Sequence, residues 1–174
     1  MLVFGSEHVY LEQMAVSASF EYRLSRRWTL SAAAGGVLGG RLDTNAGSTA
    51  MGGGGVGSLA ASFIALEQGK YWPFIMLSGS ASVSAVQAQP TTWVGVDARL
   101  GVAVGYTILQ RVTPYLTGRV YGGPVLWRGE VGTDLFHWQA GLGVVVGLPW
   151  GLDLSAEVVP FGEKRITAGV GVSF

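Results

Sequence analysis

Apolar and polar residues alternate with a period of two along most of the chain. From residue 165 to residue 174, the even positions are apolar and the odd positions are small or polar. Successive side chains of a β-strand point to opposite faces, so this alternation predicts strands with one apolar and one polar face. Counting back from the chain end gives nine such segments, the first of which starts near His8. The pattern therefore predicts an all-β fold of antiparallel strands.

Glycine, proline and polar clusters divide the chain into strands and connections. Short turns are predicted near four residues, namely Ser25, Gln68, Gln110 and Pro149. Longer loops are predicted at residues 43–55, 87–92 and 128–134. At Gly122-Gly123-Pro124 we expect a bulge or a strand end, because proline cannot donate to a strand ladder. Alternation of short turns and longer loops is typical of outer-membrane barrels.

Composition indicates that water is not the main solvent of this chain. Charged residues are 13% of the chain and hydrophobic residues 49%, with eleven basic and eleven acidic side chains. Soluble domains carry about 25% charged residues and rely on surface charge for solubility. No uninterrupted apolar run approaches the roughly 20 residues that a membrane-spanning helix needs. A closed sheet is the remaining membrane solution, since it bonds every backbone group internally.

The terminal strand, which ends in Phe174, resembles the closing strand of Gram-negative outer-membrane β-barrels. The resemblance implies a bacterial outer-membrane location, with outer-membrane lipid and the assembly machinery as partners and other envelope proteins as further candidates. It also implies that Phe174 is part of the signal that the assembly machinery reads. We expect residues 1–174 to form one transmembrane antiparallel up-and-down β-barrel.

The predicted barrel has ten strands, because bacterial barrels of this class have even strand numbers. The tenth would be the first in sequence, short or truncated, and Leu2-Val3-Phe4 would be its end. Eight strands is the alternative, if the first visible strand lies outside the barrel. No signal peptide is visible in residues 1–8, so we expect it to be removed or to precede this sequence. The absence of cysteine suits an oxidising periplasm.

Charge within the strands shares the parity of the glycine and serine residues, which predicts a polar lumen. Asp97, Arg99, Arg119 and Glu157 are expected to form one lumen network, with the two carboxylates between the two arginines. Lumen polar residues are expected at four further positions, namely Tyr115, Tyr121, His137 and Gln139. Because unpaired charges in a confined lumen are costly, the network should narrow the channel, and loss of Glu157 or Arg119 should raise conductance.

Three functions fit a polar lumen, namely a structural scaffold, a narrow porin-like pore and an enzyme acting on lipid or peptide at the outer-membrane surface. Lipid A deacylases of similar size carry a His-x-Ser pair, whereas this chain has His137-Trp138-Gln139. Omptin proteases use an Asp-His couple with a second acidic pair, and no such pair accompanies Asp134 and His137. We therefore expect a scaffold or narrow pore and no enzyme.

Cofactor, metal and nucleic-acid sites are not predicted. Two histidines and no cysteine provide no recognisable metal-ligand set. Nucleic-acid binding is not expected because the chain has no strongly basic patch. The sequence alone does not identify a solute or an oligomeric state.

Overall fold

The computed structural model describes residues 2–4, 7–45, 47–88, 91–135 and 137–172, with the backbone alone at residues 7 and 8. The described residues form an all-β, antiparallel sheet without α-helices. Its strands are β1 (Leu2–Phe4), β2 (Glu7–Arg23), β3 (Trp28–Thr44), β4 (Gly47–Met51), β5 (Gly54–Leu66), β6 (Phe74–Ala88), β7 (Thr91–Gly105), β8 (Val112–Gly122), β9 (Val125–Trp127), β10 (Glu130–Asp134), β11 (Trp138–Leu148), β12 (Leu152–Phe161) and β13 (Arg165–Val172). No helix in these ranges is long and apolar enough to cross a membrane.

Most strands pair with their neighbours in sequence, as predicted for an up-and-down sheet. The order is β13-β12-β11-β8-β7-β6-β5-β3-β2-β1-β10-β9, and β9 also pairs with β7. This last pairing closes a ring of eight strands, which are β1, β2, β3, β5, β6, β7, β9 and β10. The loop end is the end of the sheet that carries this closure and the β6–β7 connection. The turn end is the opposite end, where the connections after β2, β5, β7 and β11 lie.

The predicted long loops are largely strand. In residues 43–55, β3 continues to Thr44, β4 folds back onto it, and β5 begins at Gly54. Similarly, β6 and β7 extend to Ala88 and Thr91, and residues 128–134 contain β10. The loop predictions were wrong because glycine and polar residues were interpreted as breakers, whereas cross-strand backbone bonds stabilise strands there.

The predicted strand end at Gly122-Gly123-Pro124 is confirmed. β8 stops at Gly122, and β9 resumes at Val125 beside the same strand, β7. A side chain at Gly123 would overlap the carbonyl oxygen of Val96, so the close approach requires glycine. The Pro124 carbonyl accepts a bond of 3.0 Å from the Val96 N–H, which holds the two strand segments against β7.

Apolar side chains form continuous rows on the outward face of the sheet. Leu142, Leu116 and Val104 are directly opposite one another on β11, β8 and β7, and they are 55%, 66% and 38% exposed. A second row joins Trp138, Val120 and Leu100 on the same three strands. An inward row between them carries Arg119 flanked by Gln139 and Gly101. The alternation in the sequence therefore corresponds to two physically distinct faces.

An apolar cluster fills the ring at its loop end. Its buried members come from seven strands and are Leu2, Phe4, Val9, Val37, Leu42, Met51, Val86, Ala88, Trp93, Val125 and Trp127. Phe4 lies 5.8 Å from both Trp93 and Trp127, and the two tryptophan rings are 6.1 Å apart. We call these eleven residues the plug. A Gly/Ser- and charge-lined lumen was predicted throughout, but here inward apolar positions of distant strands converge instead.

Candidate functional site

Glu157 is the centre of an inward-facing charge cluster near the middle of the sheet. Its two carboxylate oxygens accept paired bonds of 2.8 and 2.7 Å from the guanidinium of Arg119. Arg165 donates a further bond of 3.2 Å, and the Tyr115 hydroxyl one of 3.1 Å. These four residues are the Glu157 cluster. Two-point Arg–carboxylate pairing is the strongest ion-pair geometry, so this cluster ties β8, β12 and β13 together.

Strand register explains why these side chains meet. Gly143 on β11 lies opposite both Tyr115 on β8 and Glu157 on β12, so the glycine separates the two partners without filling the space between them. Gly101 on β7 lies opposite Arg119, and a Cβ there would be 3.0 Å from the Arg119 Cγ. Glycine beside a large inward residue gives that side chain room to lie across the sheet.

Replacement of Gly143 tests this packing. A Cβ at residue 143 would overlap the Tyr115 ring, so Gly143→Ala should displace the ring from Glu157. Overpacking of this kind costs about 1–3 kcal/mol in unfolding free energy. Urea unfolding of the refolded protein measures the change. Gly55→Ala is the matched control, because a Cβ there meets nothing within 4 Å and its effect should be much smaller. Equal losses in both variants would contradict the proposed packing.

Arg99 is the centre of a second charge cluster. Its Nε pairs with Asp97 two residues earlier on β7, and its Nη2 lies 3.0 Å from Glu163 in the β12–β13 turn. The Arg99 guanidinium also lies 5.5 Å from the centre of the Tyr121 ring. Asp97, Arg99 and Glu163 form the Arg99 cluster, which connects β7 to the turn before β13.

The predicted four-residue network is therefore divided in two. Asp97 pairs with Arg99 and Glu157 with Arg119, so each predicted residue has a partner of opposite charge. The carboxylates do not bridge the two arginines, because Arg99 lies opposite Tyr121 and Arg119 lies opposite Gly101. Tyr121 thus occupies the position beside Arg99 on β8, and Arg99 takes an additional partner, Glu163, from the β12–β13 turn.

The predicted lumen polar residues have different surroundings. Tyr115 and Tyr121 face inward beside the two clusters, and Tyr121 is buried. Gln139 is 2% exposed, lies opposite Arg119, and neither its Oε1 nor its Nε2 has a protein partner in the described residues. The sequence predicted the inward position of Gln139 but not its lack of protein partners.

His137 is placed differently from the lumen position that was predicted. It precedes β11, is exposed, and lies beside Gly122, which shares the outward face with Ala98. Its Nδ1 is 3.3 Å from the Tyr121 carbonyl oxygen. The inward position was predicted from the alternation of odd and even residues, which applies only within a regular strand, and residue 137 precedes β11. Phe174, the predicted assembly signal, lies outside the described residues.

Sequence reasoning missed two cluster members. Arg165 shares the parity of the other inward charges, which was a usable signal, but its partner was not predicted. Glu163 lies in a turn, where alternation carries no information about facing, so only the tertiary structure shows its contact with Arg99. Within the described ranges, no group of three or more His, Cys, Asp or Glu side chains could hold a metal ion. The geometry supports cross-strand bonding as the role of both clusters.

Comparisons with protein-family models, with curated proteins and with solved structures found no significant match for this chain.

Proposed function

We propose that this protein is a bacterial outer-membrane β-barrel that serves as a closed scaffold in the cell envelope. The proposal includes ten membrane-crossing strands, lipid around the outward face, and delivery by the outer-membrane assembly machinery. The observation that carries it is the distribution of side chains between the two faces of the sheet. Large apolar residues are exposed outward, while paired charges face inward.

The outward rows are too extensive for a surface in water. Phe20, Leu59 and Leu100 are 70%, 68% and 66% exposed, and they lie on three different strands. Soluble monomers rarely expose contiguous apolar patches beyond a few hundred Å². Lipid removes the cost of this exposure, and it also accounts for the inward placement of charge, since Arg or Lys at a lipid-facing midplane position costs about 2–4 kcal/mol.

Exposed aromatic residues at the turn end support the same proposal. Trp150 and Trp72 lie in connections and are 92% and 68% exposed, and Tyr71 beside Trp72 is 78% exposed. Tyr22 and Trp28 lie at the ends of β2 and β3 on the same side. Tryptophan and tyrosine rings concentrate at membrane–water interfaces because they have an apolar body and a polar edge. These residues would form the belt at one interface.

The plug favours a scaffold over a pore. Phe4, Trp93 and Trp127 pack against one another inside the ring, where a conducting channel would need water. Side chains can fill the interior of a barrel of about eight strands. The charge clusters lie in the interior around the middle of the strands, so the proposed scaffold combines an apolar closure at the loop end with a hydrogen-bonded middle.

The proposal assigns no catalytic role to His137. The Tyr121 carbonyl is its hydrogen-bond partner in the described structure, and a glutamine stands at residue 139 where deacylases carry serine. Activity at the lipid surface remains the alternative function from the sequence, and no contact of the described residues favours it.

The membrane proposal can be tested by the behaviour of the purified protein in detergent. We expect the purified chain to require detergent or lipid, to give a β-type circular dichroism spectrum, and to migrate differently in gels with and without heating. The reason is that the outward rows need an apolar solvent, while the closed sheet resists unfolding by detergent alone. A monodisperse monomer in buffer without detergent would contradict the proposal.

A further inference from the structure

The sheet is closed at its loop end, but within the described residues it has two unpaired edges toward the turn end. Over residues 13–23, the partners of β2 in the described part of the chain all lie on β3. Over residues 165–172, the described partners of β13 all lie on β12. We call these two edges together the seam. Unpaired amide and carbonyl groups along a strand edge are a template for a further strand.

Strand direction excludes antiparallel pairing of the two edges with each other. Each step along the path from β13 to β2 joins antiparallel neighbours. That path contains nine strands, so its first and last members, β13 and β2, run in the same direction. Both run from the loop end toward the turn end. Antiparallel closure therefore requires one strand that runs the opposite way.

β1 shows where such a strand would enter. It runs toward the loop end, and it pairs with β2 through Leu2 and Val9 and with β10 through Leu2 and Asp134. A strand that continued β1 backwards, toward the turn end, would lie between the edges of β2 and β13. If such a strand keeps the register in which Leu2 lies opposite Val9, its residue eight places before Leu2 lies opposite Ser17.

We propose that the seam binds one additional strand, and that this strand is a segment of the same polypeptide directly upstream of β1. The inference rests on the proposed barrel and deepens it by assigning the position, direction and register of the closing strand. A second copy of the chain fits the seam less well. If both copies cross the membrane in the same orientation, the β2 and β13 edges of the second copy run in the same direction as those of the first. Those edges could pair only in parallel, whereas outer-membrane barrels are antiparallel.

The inward and outward faces of the strands beside the seam predict which positions of the added strand are polar and which are apolar. Leu2 faces inward with Val9, while Val3 belongs to the opposite face. Ser17 and Ser19 share the face of Val9, and Met14 and Val16 share the lipid-facing side. The occupant should therefore carry small or polar residues at positions on the Leu2 face and apolar residues at positions on the Val3 face.

Cysteine cross-linking tests the register, because the chain has no cysteine of its own. The probe is a twelve-residue extension of alternating Thr and Val placed before Met1, with Thr on the Leu2 face. One variant combines Ser17→Cys with a cysteine eight places before Leu2. Its matched control moves the extension cysteine one place, onto the opposite face. Directly opposed Cβ atoms are about 4.5–5.5 Å apart, so we expect the disulfide to form about tenfold faster in the first variant.

Amide hydrogen exchange provides a second measurement that does not depend on cysteine. The extension should slow exchange on the seam edges of both β2 and β13, and an extension with proline at every second position should not. Equal cross-linking in the two cysteine variants, or protection of β2 alone, would overturn the inference. So would a rapid disulfide between two copies of the Ser17→Cys variant without the extension. Failure of the detergent test with the matched disulfide intact would instead reject only the membrane proposal.

Discussion

Glu157→Ala is expected to lower the unfolding free energy by about 3 kcal/mol, because it leaves the part-buried guanidinium groups of Arg119 and Arg165 without a carboxylate partner. Glu157 is 8% exposed, and its carboxylate accepts bonds from Arg119, Arg165 and Tyr115. Removal would leave two guanidinium groups close together inside the sheet with no carboxylate between them. Equilibrium unfolding by urea in detergent micelles or lipid vesicles measures the loss.

A surface ion pair provides the matched control for this prediction. Glu67 lies 3.4 Å from Arg27, and both side chains are more than half exposed. Pairs of this kind contribute about 0–1 kcal/mol, so Glu67→Ala should change little. Glu157→Gln should lie between the two, because the amide keeps hydrogen-bond acceptance but loses the charge. Similar small losses for Glu157→Ala and Glu67→Ala would show that the Glu157 cluster does not hold β8, β12 and β13 together.

Trp93→Ala is expected to destabilise the protein by about 3–5 kcal/mol and to open the interior of the ring. Trp93 is 2% exposed and packs against Phe4 and Trp127 at the centre of the plug. Its loss leaves a cavity where strands β1, β7 and β9 meet. Urea unfolding measures the stability, and recording from single proteins in planar bilayers measures the ion current.

Measurements of ion current distinguish the contribution of the plug from that of the charge clusters. The sequence alone predicted that loss of Glu157 or Arg119 would raise conductance. Since the plug closes the loop end separately, we now expect Glu157→Ala alone to stay nearly closed and Trp93→Ala combined with Trp127→Ala to conduct. Trp150→Ala is the matched tryptophan control, because Trp150 is 92% exposed. A large, steady current in the unmodified protein would contradict the closed scaffold.

The sequence by itself determined the long strands and their two faces. Period-two alternation depends only on the local geometry of an extended backbone, so the outward positions of Leu116 and Leu142 and the inward positions of Arg119 and Glu157 were predictable. The strand end at Pro124 was equally local, since it depends on a missing N–H group. The charge pairs were predictable in kind, because inward charges in a low-dielectric interior need partners.

Only the tertiary structure decided which inward residues meet. Register placed Tyr121, rather than Arg119, opposite Arg99 and so divided the predicted network in two. The β12–β13 turn brought Glu163 to Arg99, although alternation says nothing about a turn residue. Phe4, Trp93 and Trp127 are far apart in sequence and meet only because β1, β9 and β10 close the ring. Local pattern fixes the face of a side chain, whereas its contacts across the interior depend on strand order and register.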